Sequence, residues 1–497
     1  MSYLPVARPF QVRPLAGQGC LAVSASGDIE LLSDGELQLL QHQPEALPLA
    51  RQAELAARFF LGRHGPTPGT DRLLRSRIQA KRELTRHGPS LHIIVPTLQC
   101  AHSCRYCQVS RALDDTGHSL SPTQIDAASD AIFESDSPTL TVEYQGGDPL
   151  IRFDLVQRSI ARIAARNRSE GRQIRSVVAS TLHQLDDAMC AFFQAHDVHL
   201  STSVDGPPAL HNANRTIPGR NAYERTVEGM ALARRTLGHD KVSALMTTTR
   251  LSLSQPEAIV DTYVQLGLQD IFLRPLSAYG FAKRNQAHLG YALDDFKPFY
   301  QRALARVLHW NRQGVALREV HASIILNKLL CTFDSGYVDL QSPTAAGRAV
   351  VVHNYDGHIY PSDEARMLAE TGERSLRLGP IGTPLTTLRQ APAQLALTHA
   401  SEAGHARDCS ACAYQLFCAP NPVDALAQHG TLTHPAAQTE HCQRHLWLFD
   451  HFAAEIFRAR REDGWLLDLF HQWAQPREAA MAGDAGEATE AAAEVTT

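Results

Sequence analysis

The 497-residue sequence lacks the features of several common functional classes. It has no apolar run long enough to span a bilayer and no secretory-type apolar segment near its beginning. Neither charge sign dominates, since 47 Lys and Arg stand against 52 Asp and Glu and the net charge is −5. A surface for nucleic acid or anionic lipid is therefore not indicated. We expect a cytoplasmic chain of two or three domains, without nucleic-acid or membrane partners.

Cysteine is scarce and unevenly placed. Ten cysteines occur, and seven of them fall into two sets with metal-ligand spacing, which suits a reducing compartment better than a disulfide framework. The first set is Cys100, Cys104 and Cys107, in the spacing C-x3-C-x2-C after the apolar run 91–95. Three thiolates can hold three corners of a cubane iron–sulfur cluster and leave one iron open, whereas electron-transfer clusters are closed by four cysteines. A zinc knuckle completed by His102, or buried free thiols, are the alternatives.

The second cysteine set lies in the last quarter of the chain. Cys409, Cys412 and Cys418 have the spacing C-x2-C-x5-C, and Cys442 follows at a distance. These residues form a complete four-thiolate set, which predicts a closed metal site. Either an iron–sulfur cluster or zinc would accept these ligands.

The segment from 91 to about 276 alternates apolar, β-branched runs with amphipathic patterns. The predicted strands are Leu91–Thr97, Thr139–Tyr144, Ile174–Ser180, Val198–Val204, Val242–Thr248 and Ile271–Pro275. The predicted helices between them are Ser121–Ser135, Phe153–Ala165, Leu185–Ala195, Ala222–Leu237 and Gln255–Leu266. This alternation predicts an α/β fold with parallel strands. Six such units fit a partial (β/α)6 barrel, in which catalytic groups lie at the carboxyl ends of the strands.

The cysteine loop resembles the signature of radical S-adenosylmethionine (SAM) enzymes, C-x3-C-x-aromatic-C, with Tyr106 as the aromatic residue. The resemblance implies a partial TIM-like barrel and a [4Fe–4S] cluster whose open iron binds SAM. It also implies an enzyme in which a 5′-deoxyadenosyl radical abstracts a hydrogen atom from the substrate.

Further motifs follow the later strands and resemble SAM-binding motifs of the same family. Gln145-Gly-Gly-Asp-Pro149 resembles the Gly-Gly-Glu-Pro motif that holds the SAM amino group, although alone it would be only a turn. Two glycines let a backbone approach a ligand closely, and a carboxylate can bind an ammonium. The pattern that begins at Ser201, within the fourth strand, resembles that of peptide-modifying members of the family. In that pattern the guanidinium of Arg215 suits the SAM carboxylate. The implied cofactor contacts are Tyr106, Gly146, Gly147, Asp148, Pro149, Ser180, Ser203 and Arg215.

The second cysteine set resembles the SPASM extension of peptide-modifying radical SAM enzymes. That extension normally carries two auxiliary [4Fe–4S] clusters, and the four cysteines here match the second one. The first is not matched, since Ser362 stands where its Pro-Cys turn would have cysteine. The resemblance therefore implies one auxiliary [4Fe–4S] cluster, closed by Cys409, Cys412, Cys418 and Cys442.

The whole arrangement resembles the radical SAM maturases of the His-Xaa-Ser peptide system. This resemblance implies a ribosomally made peptide substrate, a companion radical SAM maturase, and a reducing electron donor such as flavodoxin or ferredoxin. A sulfatase-type, formylglycine-generating maturase is the alternative within enzymes, with Asp363 as general base. A solvated turn residue is the simpler interpretation of Asp363. A zinc-stabilised scaffold that binds peptide is the alternative from another class.

The predicted division of the chain has four parts. Residues 1–90 form an α+β extension, with strands at Phe10–Leu15, Cys20–Ser24 and Asp28–Leu32, a helix capped by Asp34 and a second helix over Pro44–Leu61. It loosely resembles small peptide-recognition domains, or it is a plain extension packed on the barrel. Residues 91–285 form the barrel, and 286–475 form a helical linker, with helices at Phe296–Arg312 and Leu317–Leu330, and the SPASM-like domain. Residues 476–497 are expected to be disordered.

Overall fold

The computed structural model describes residues 5–63, 68–83, 88–277, 279–334 and 336–475. The predicted disordered tail, 476–497, lies outside these ranges. The strands are β1 Pro5–Ala7, β2 Phe10–Leu15, β3 Gly19–Ser24, β4 Ile29–Leu32, β5 Leu61–Arg63, β6 Leu91–Ile94, β7 Ser103–Cys104, β8 Thr139–Tyr144, β9 Gln173–Ala179, β10 His199–Ser203, β11 Arg215–Thr216, β12 Val242–Leu245, β13 Asp270–Ile271, β14 Arg318–Glu319, β15 Val350–His353, β16 His358–Tyr360 and β17 Gly379–Pro380.

Twenty α-helices are assigned within the described residues. They are α1 Asp34–His42, α2 Leu49–Ala57, α3 Pro68–Glu83, α4 Pro122–Ala131, α5 Phe153–Glu170, α6 Asp187–Ala195, α7 Pro208–Asn214, α8 Ala222–Leu237, α9 Pro256–Gln265, α10 Gly280–Arg284, α11 Gln286–Leu289, α12 Leu293–Arg312, α13 Val320–Leu330, α14 Asp363–Ala369, α15 Leu385–Leu388, α16 Pro392–Ala400, α17 Arg407–Ser410, α18 Pro422–His429, α19 Glu440–Glu462 and α20 Gly464–Ala474. None of these helices is both long enough and apolar enough to cross a membrane.

The central element is an eight-stranded, mostly parallel sheet in the order β12-β10-β9-β8-β6-β15-β16-β17. Its first six strands pair in parallel, and β16 and β17 continue it in the antiparallel sense. The helices between the strands bury apolar faces on the sheet, as the alternating pattern requires. The predicted α/β class is confirmed.

The sixth predicted strand, Ile271–Pro275, is wrong as drawn. The structure has only β13 there, and β13 pairs with β14 in a separate two-stranded sheet. The buried Glu319 carboxylate accepts a hydrogen bond from the Leu273 N–H at 3.1 Å, so a side chain takes the place of the next ladder partner. The Thr248 N–H still donates to the carbonyl of Arg274 at 2.8 Å, which keeps this segment beside the end of β12.

The central sheet gains a neighbour from the second half of the chain. β15 pairs in parallel with β6, the strand that precedes the cysteine loop, in the register Val350 with Leu91 through His353 with Ile94. The sheet therefore crosses the predicted boundary at residue 285. The four-part division of the chain stays a prediction.

The N-terminal module has the predicted three-stranded antiparallel sheet, β2-β3-β4, and its own small apolar core. Two details of its helices differ from prediction. Ser33, not Asp34, caps α1, since its hydroxyl accepts from the Glu36 N–H. The helix predicted over 44–61 is α2 alone, because Pro48 stands at its N-cap and Leu61 pairs in β5 with β1.

Candidate active site

The cysteine loop lies at the carboxyl edge of the sheet and is fixed from two sides. On one side β7, which contains Cys104, pairs with β11, and the Arg105 N–H donates to the Asn214 carbonyl at 2.9 Å. On the other side the Phe281 N–H donates to the carbonyl of Cys107 at 2.8 Å. The loop is thereby tied to the segments that follow the fourth and sixth predicted strands.

A buried carboxylate joins the cysteine loop to the fourth strand of the barrel. The Tyr106 hydroxyl lies 2.8 Å from both oxygens of Asp205, and the Arg215 Nε donates to Asp205 at 3.2 Å. The Arg215 guanidinium also lies over the Tyr106 ring and 3.8 Å from the Cys104 Sγ. Arg215 thus neutralises Asp205 beside the thiols, and its predicted contact with the SAM carboxylate stays a proposal.

Without a bound metal, the thiols of the cysteine loop lose their protons less readily than a free cysteine does. Burial, together with Asp148, raises the pKa of Cys100 well above its usual value. Burial raises the pKa of Cys104 to about 11, although Arg215 opposes the shift. A bound metal deprotonates a coordinating thiol outright. Three thiols on one short loop beside a buried guanidinium are a donor set that fits a three-cysteine cluster site.

The glycine pair of Gln-Gly-Gly-Asp-Pro has a second physical reason besides the predicted approach to a ligand. A Cβ atom on Gly147 would lie 2.1 Å from the Gln99 carbonyl oxygen and 2.2 Å from that of Leu98. On Gly146 it would lie 2.4 Å from the carbonyl oxygen of Thr97. The pair therefore lets the backbone of 146–147 pack against the start of the cysteine loop, rather than only against a ligand.

Asp148, the acidic residue of the same motif, is held by several hydrogen bonds. Its carboxylate is buried and accepts from the Ser180 hydroxyl at 2.7 Å, the Thr181 hydroxyl at 2.5 Å and two backbone N–H groups. Burial raises its pKa against these hydrogen bonds. The side chain therefore connects the ends of β8 and β9, and its predicted contact with the SAM amino group stays a proposal. Ser180, which is predicted to contact the SAM ribose, is one of the residues that donate to Asp148. Its hydroxyl oxygen also accepts from the Leu182 N–H at 2.9 Å.

The remaining predicted cofactor contacts lie at the same edge of the sheet. Ser203 is the last residue of β10 and is half-buried. Pro149 is buried at the start of the 3-10 turn that follows Asp148. No contact of either residue with SAM follows from these positions alone, and both remain predictions.

Asp363 begins α14 and meets the glycine motif. The Gln145 Nε2 donates to Asp363 at 2.8 Å, and the Arg366 Nε donates to the same oxygen at 2.6 Å. Ser362, at the position of the missing cysteine, caps α14 by accepting from the Ala365 N–H at 3.2 Å. Asp363 is therefore an ordered residue at the active-site edge, and a solvated turn does not describe it.

Two glutamates near Asp363 were not predicted from the sequence. Burial and the charge of Asp363 raise the pKa of Glu143 to about 7, although Arg274 and Arg366 oppose the shift. Burial, Asp339 and Asp363 raise the pKa of Glu364 to about 7. A signal for Glu143 was available, because it alternates in β8 with the buried Val142 and Tyr144 and so must lie on the opposite face.

The C-terminal cysteines Cys409, Cys412, Cys418 and Cys442 line one cavity, together with Tyr414 and Phe449. Cys409 lies in α17, Cys412 and Cys418 lie in the turns that follow it, and Cys442 lies in the first turn of α19, where Thr439 caps the helix. Burial and the neighbouring thiols raise the pKa of Cys409 to about 12. The four thiols around one cavity suit a cluster with four thiolate ligands rather than a single ion. Within the described residues, no three Cys, His, Asp or Glu side chains converge closely enough to hold a single metal ion.

The N-terminal module contacts the surroundings of this second cysteine set. Arg13 of β2 donates two hydrogen bonds to the carboxylate of Asp450, at 2.5 and 2.6 Å. The Tyr414 hydroxyl donates to the same carboxylate at 2.8 Å, and the Tyr414 ring stacks on Phe449. A bidentate ion pair therefore joins the module to the wall of the four-cysteine cavity.

Comparison with known proteins agrees with this geometry. Residues 94–262 match the family model of the radical SAM superfamily. An uncharacterized protein of Methanothermobacter thermautotrophicus is 22% identical over 177 residues, which cover 35% of this chain and 64% of that protein. An uncharacterized protein of Synechocystis is 26% identical over 231 residues, which cover 44% of this chain and 56% of that protein. The chain thus spans less than two thirds of the length of either relative.

Solved structures share the fold over a larger part of the chain. Native anSMEcpe with bound AdoMet aligns with a TM-score of 0.61 and 14% identity, covering 74% of this chain and 98% of that one. Streptococcus suis SuiB bound to precursor peptide SuiA aligns with a TM-score of 0.54 and 13% identity, covering 88% of this chain and 100% of that one.

The site residues and the family match coincide in the chain. The cysteine loop, the glycine motif and the Asp205–Arg215 pair all lie within residues 94–262. A radical SAM domain implies SAM and a [4Fe–4S] cluster as cofactors, and an enzyme that uses them. The chain therefore contains a domain of the radical SAM superfamily.

Proposed function

We propose that this protein is a radical SAM maturase that modifies a ribosomally made peptide of the His-Xaa-Ser type. The observation that carries the proposal is the presence of two thiol sets on one chain, a three-cysteine loop at the sheet edge and four cysteines around one cavity. The first set leaves a cluster position open for SAM, and the second closes an auxiliary [4Fe–4S] cluster. When bound, cluster and SAM supply the oxidant for hydrogen-atom abstraction.

The similarity to peptide-bound structures supports a peptide as substrate. SuiB, in its complex with precursor peptide SuiA, aligns with 88% of this chain. anSMEcpe with bound AdoMet and Cp18Cys peptide aligns with 75% of it. Both alignments extend well beyond residues 94–262. We infer that the substrate of this chain is also a peptide.

The chain's own residues have distinct tasks in this proposal. Cys100, Cys104 and Cys107 would hold the first cluster, and Asp205 fixes their loop through Tyr106. Gly146, Gly147, Asp148, Pro149, Ser180, Ser203 and Arg215 would form or support the SAM site. Glu143 and Glu364 have pKa values of about 7, so near neutral pH either can accept a proton from the substrate. Asp363 positions Gln145 and Arg366 beside them.

Partners and compartment follow from the same proposal. Seven of the ten cysteines are ligands of metal clusters in this proposal, which suits a reducing, cytoplasmic location better than a disulfide framework does. A cluster that is reduced in each cycle needs an electron donor such as flavodoxin or ferredoxin. A companion radical SAM maturase is inferred from the His-Xaa-Ser resemblance.

The test is the metal content of anaerobically reconstituted protein. We expect about eight irons per chain, falling to about four when Cys100, Cys104 and Cys107 are all replaced by Ala. SAM cleavage should be lost in that variant. Zinc in place of the second four irons would contradict the auxiliary cluster and keep the enzyme. Protein without iron and without SAM binding would leave the zinc-stabilised scaffold.

One observation favours the sulfatase-type alternative. Asp363 follows the position of the Pro-Cys turn, and the hydrogen bond from Gln145 places it beside the glycine motif. Mass spectrometry separates the two functions. A sulfatase-derived peptide whose Cys or Ser becomes formylglycine would support the alternative, and modification of a His-Xaa-Ser peptide alone would support the main proposal.

A further inference from the structure

The sheet of the N-terminal module, β2-β3-β4, has two apolar faces that belong to different cores. Ala22 of β3 lies in the module's own small core. Leu21 and Val23, which alternate with Ala22 along the strand, lie in the main core of the protein instead. That core also contains Phe449 of α19. The module therefore shares an apolar core with the helix that carries Cys442, the fourth cysteine of the second set.

A polar contact between the module and α19 lies beside the four-cysteine cavity. Arg13 of β2 donates from Nε and Nη2 to the two carboxylate oxygens of Asp450, and the Tyr414 hydroxyl donates to one of them at 2.8 Å. Tyr414 stands in the sequence between Cys412 and Cys418, and it lines the cavity that the four cysteines share. The Arg13 guanidinium lies 6.0 Å from the centre of the Tyr414 ring. Arg13 is therefore held at the wall of this cavity.

Arg13 acts on the cysteines through its charge rather than as a ligand. Among the described residues it donates to Asp450 and to no sulfur atom. Burial and two neighbouring groups, Cys412 and Asp408, raise the pKa of the Cys442 thiol, and the charge of Arg13 opposes that rise. The Arg13 and Asp450 side chains are only 31% and 27% exposed, so salt screens this charge less than it would at an open surface.

Two other charged groups act on the same cysteine set. Lys328 of α13 opposes the rise that burial causes in the pKa of Cys418, and its Nζ is bound to Asp334 at 2.8 Å. Asp408, which acts in the opposite sense, is exposed. Of these groups, Arg13 alone belongs to the N-terminal module.

We propose that Arg13 raises the reduction potential of the auxiliary cluster at the second cysteine set. Reduction adds one electron, and therefore one negative charge, at this site, and a nearby positive charge stabilises the reduced state. The charge around a cluster and the hydrogen bonds of its surroundings set its potential. The inference rests on the auxiliary cluster of the proposed function and goes beyond it, because it gives the N-terminal module a part in electron transfer.

The test is a redox titration of the full chain in which Cys100, Cys104 and Cys107 are replaced by Ala and the second set is reconstituted with iron and sulfide. This background leaves one cluster, and electron paramagnetic resonance follows its reduction by dithionite. We expect Arg13→Gln to lower the equilibrium constant for reduction about three- to tenfold, a shift of the midpoint of about 30 to 60 mV to more negative potential. Arg13→Lys keeps the charge and should shift the midpoint less.

Asp450→Asn separates an effect of charge from an effect of structure. It breaks the same ion pair as Arg13→Gln but removes the negative partner, so the midpoint should move to more positive potential. The matched control is Arg458→Gln, because the pair of Arg458 with Glu455 on α19 has a similar exposure and Arg458 lies about 24 Å along the helix from Cys442. This control should leave the midpoint unchanged.

An unchanged midpoint in Arg13→Gln, or a shift in the same direction in Arg13→Gln and Asp450→Asn, would overturn the role of Arg13 and leave the auxiliary cluster in place. Zinc, or no metal, at the second set would contradict the auxiliary cluster itself and this role with it. Iron analysis of the same preparations separates the two results. If Arg13→Gln loses its iron, Asp450→Asn still decides the question, since a midpoint that does not rise there overturns the proposal.

Discussion

Asp205 is the residue on which the geometry of the cysteine loop depends most directly. It is fully buried, and its two oxygens receive the hydroxyl of Tyr106 and the guanidinium of Arg215. The Thr247 N–H, beyond the end of β12, lies 3.4 Å from the same carboxylate. Three segments that are distant in sequence thus meet at one side chain. Removing its charge leaves the Arg215 cation buried without its partner.

We expect Asp205→Asn to lower the free energy of unfolding by about 3–5 kcal/mol, the range for breaking a buried ion pair. Iron bound by the first cysteine set should fall as well, because the loop loses its anchor. Urea unfolding and iron analysis measure the two effects. Asp130→Asn is the control, since its pair with Arg162 is exposed and should contribute less than about 1 kcal/mol. Equal costs for the two variants would contradict this account of Asp205.

Glu143 should set the pH dependence of peptide modification. A general base acts in its deprotonated form, and the pKa of Glu143 is about 7. The rate should therefore rise with pH through about 7, as the carboxyl loses its proton. We expect Glu143→Gln to lower the rate and to remove this rise, as followed by mass spectrometry of the peptide at several pH values. Glu364→Gln tests the second glutamate in the same assay. A rise that survives in Glu143→Gln would assign the proton acceptor elsewhere.

At the scale of elements, periodicity predicted the sheet well where strands bury one apolar face. β8 and α8 have the bounds predicted from the sequence, Thr139–Tyr144 and Ala222–Leu237. The same alternation predicted parallel pairing and a cysteine loop after the first strand, but not the pairing of β15 with β6. The sequence did not indicate where a side chain would replace a backbone hydrogen-bond partner at the end of a strand. Glu319 ends the ladder at β13, and Asp148 accepts from Ser180, just after β9. Both are tertiary contacts, which the periodicity of the sequence does not contain.

A substitution at Gly147 tests the contact between the glycine motif and the cysteine loop. Gly147→Ala would place a Cβ atom about 2 Å from two backbone carbonyl oxygens, those of Gln99 and Leu98. Backbone atoms cannot rotate away as a side chain can, so the cysteine loop must shift. We expect iron in the first site and SAM cleavage to fall at least tenfold, a change of about 1.4 kcal/mol or more. Electron paramagnetic resonance of the reduced protein measures the cluster.

The control for that substitution is Gly464→Ala. Gly464 begins α20, and nothing lies within 4 Å of the position that its Cβ would occupy. The added methyl group should leave the iron content and the stability nearly unchanged. If Gly147→Ala behaved like Gly464→Ala, the packing of the glycine motif on the cysteine loop would not be what requires glycine there.

At the scale of the whole molecule, buried histidines make the fold sensitive to acid. His92 and His353 stack at a centroid distance of 5.8 Å in the seam between β6 and β15, and both are fully buried. Burial lowers the pKa of His92 to about 3 and that of His353 to about 4. Burial also lowers the pKa of His321, in α13, to about 3. In the unfolded chain these imidazoles bind protons near pH 6.5.

Stability should therefore fall as pH drops below about 6.5, because the unfolded chain takes up protons that the folded chain excludes. Each pH unit costs about 1.4 kcal/mol per buried histidine, until the folded pKa is reached. We expect His92→Phe to reduce this slope between about pH 6 and 4. His42→Phe is the control, since His42 lies exposed at the end of α1. Thermal unfolding at several pH values measures the slopes, and an unchanged slope in His92→Phe would contradict the assignment.

The pairing of β6 with β15 also has a consequence for biosynthesis. The ribosome releases β6 and the cysteine loop long before it reaches Val350–His353, so one hydrogen-bonding edge of β6 has no partner during most of translation. Nascent chains of this length are open to mispairing at that edge. A gene fragment that stops at residue 285 would keep the edge exposed permanently, and its product should aggregate however complete its cysteine loop is.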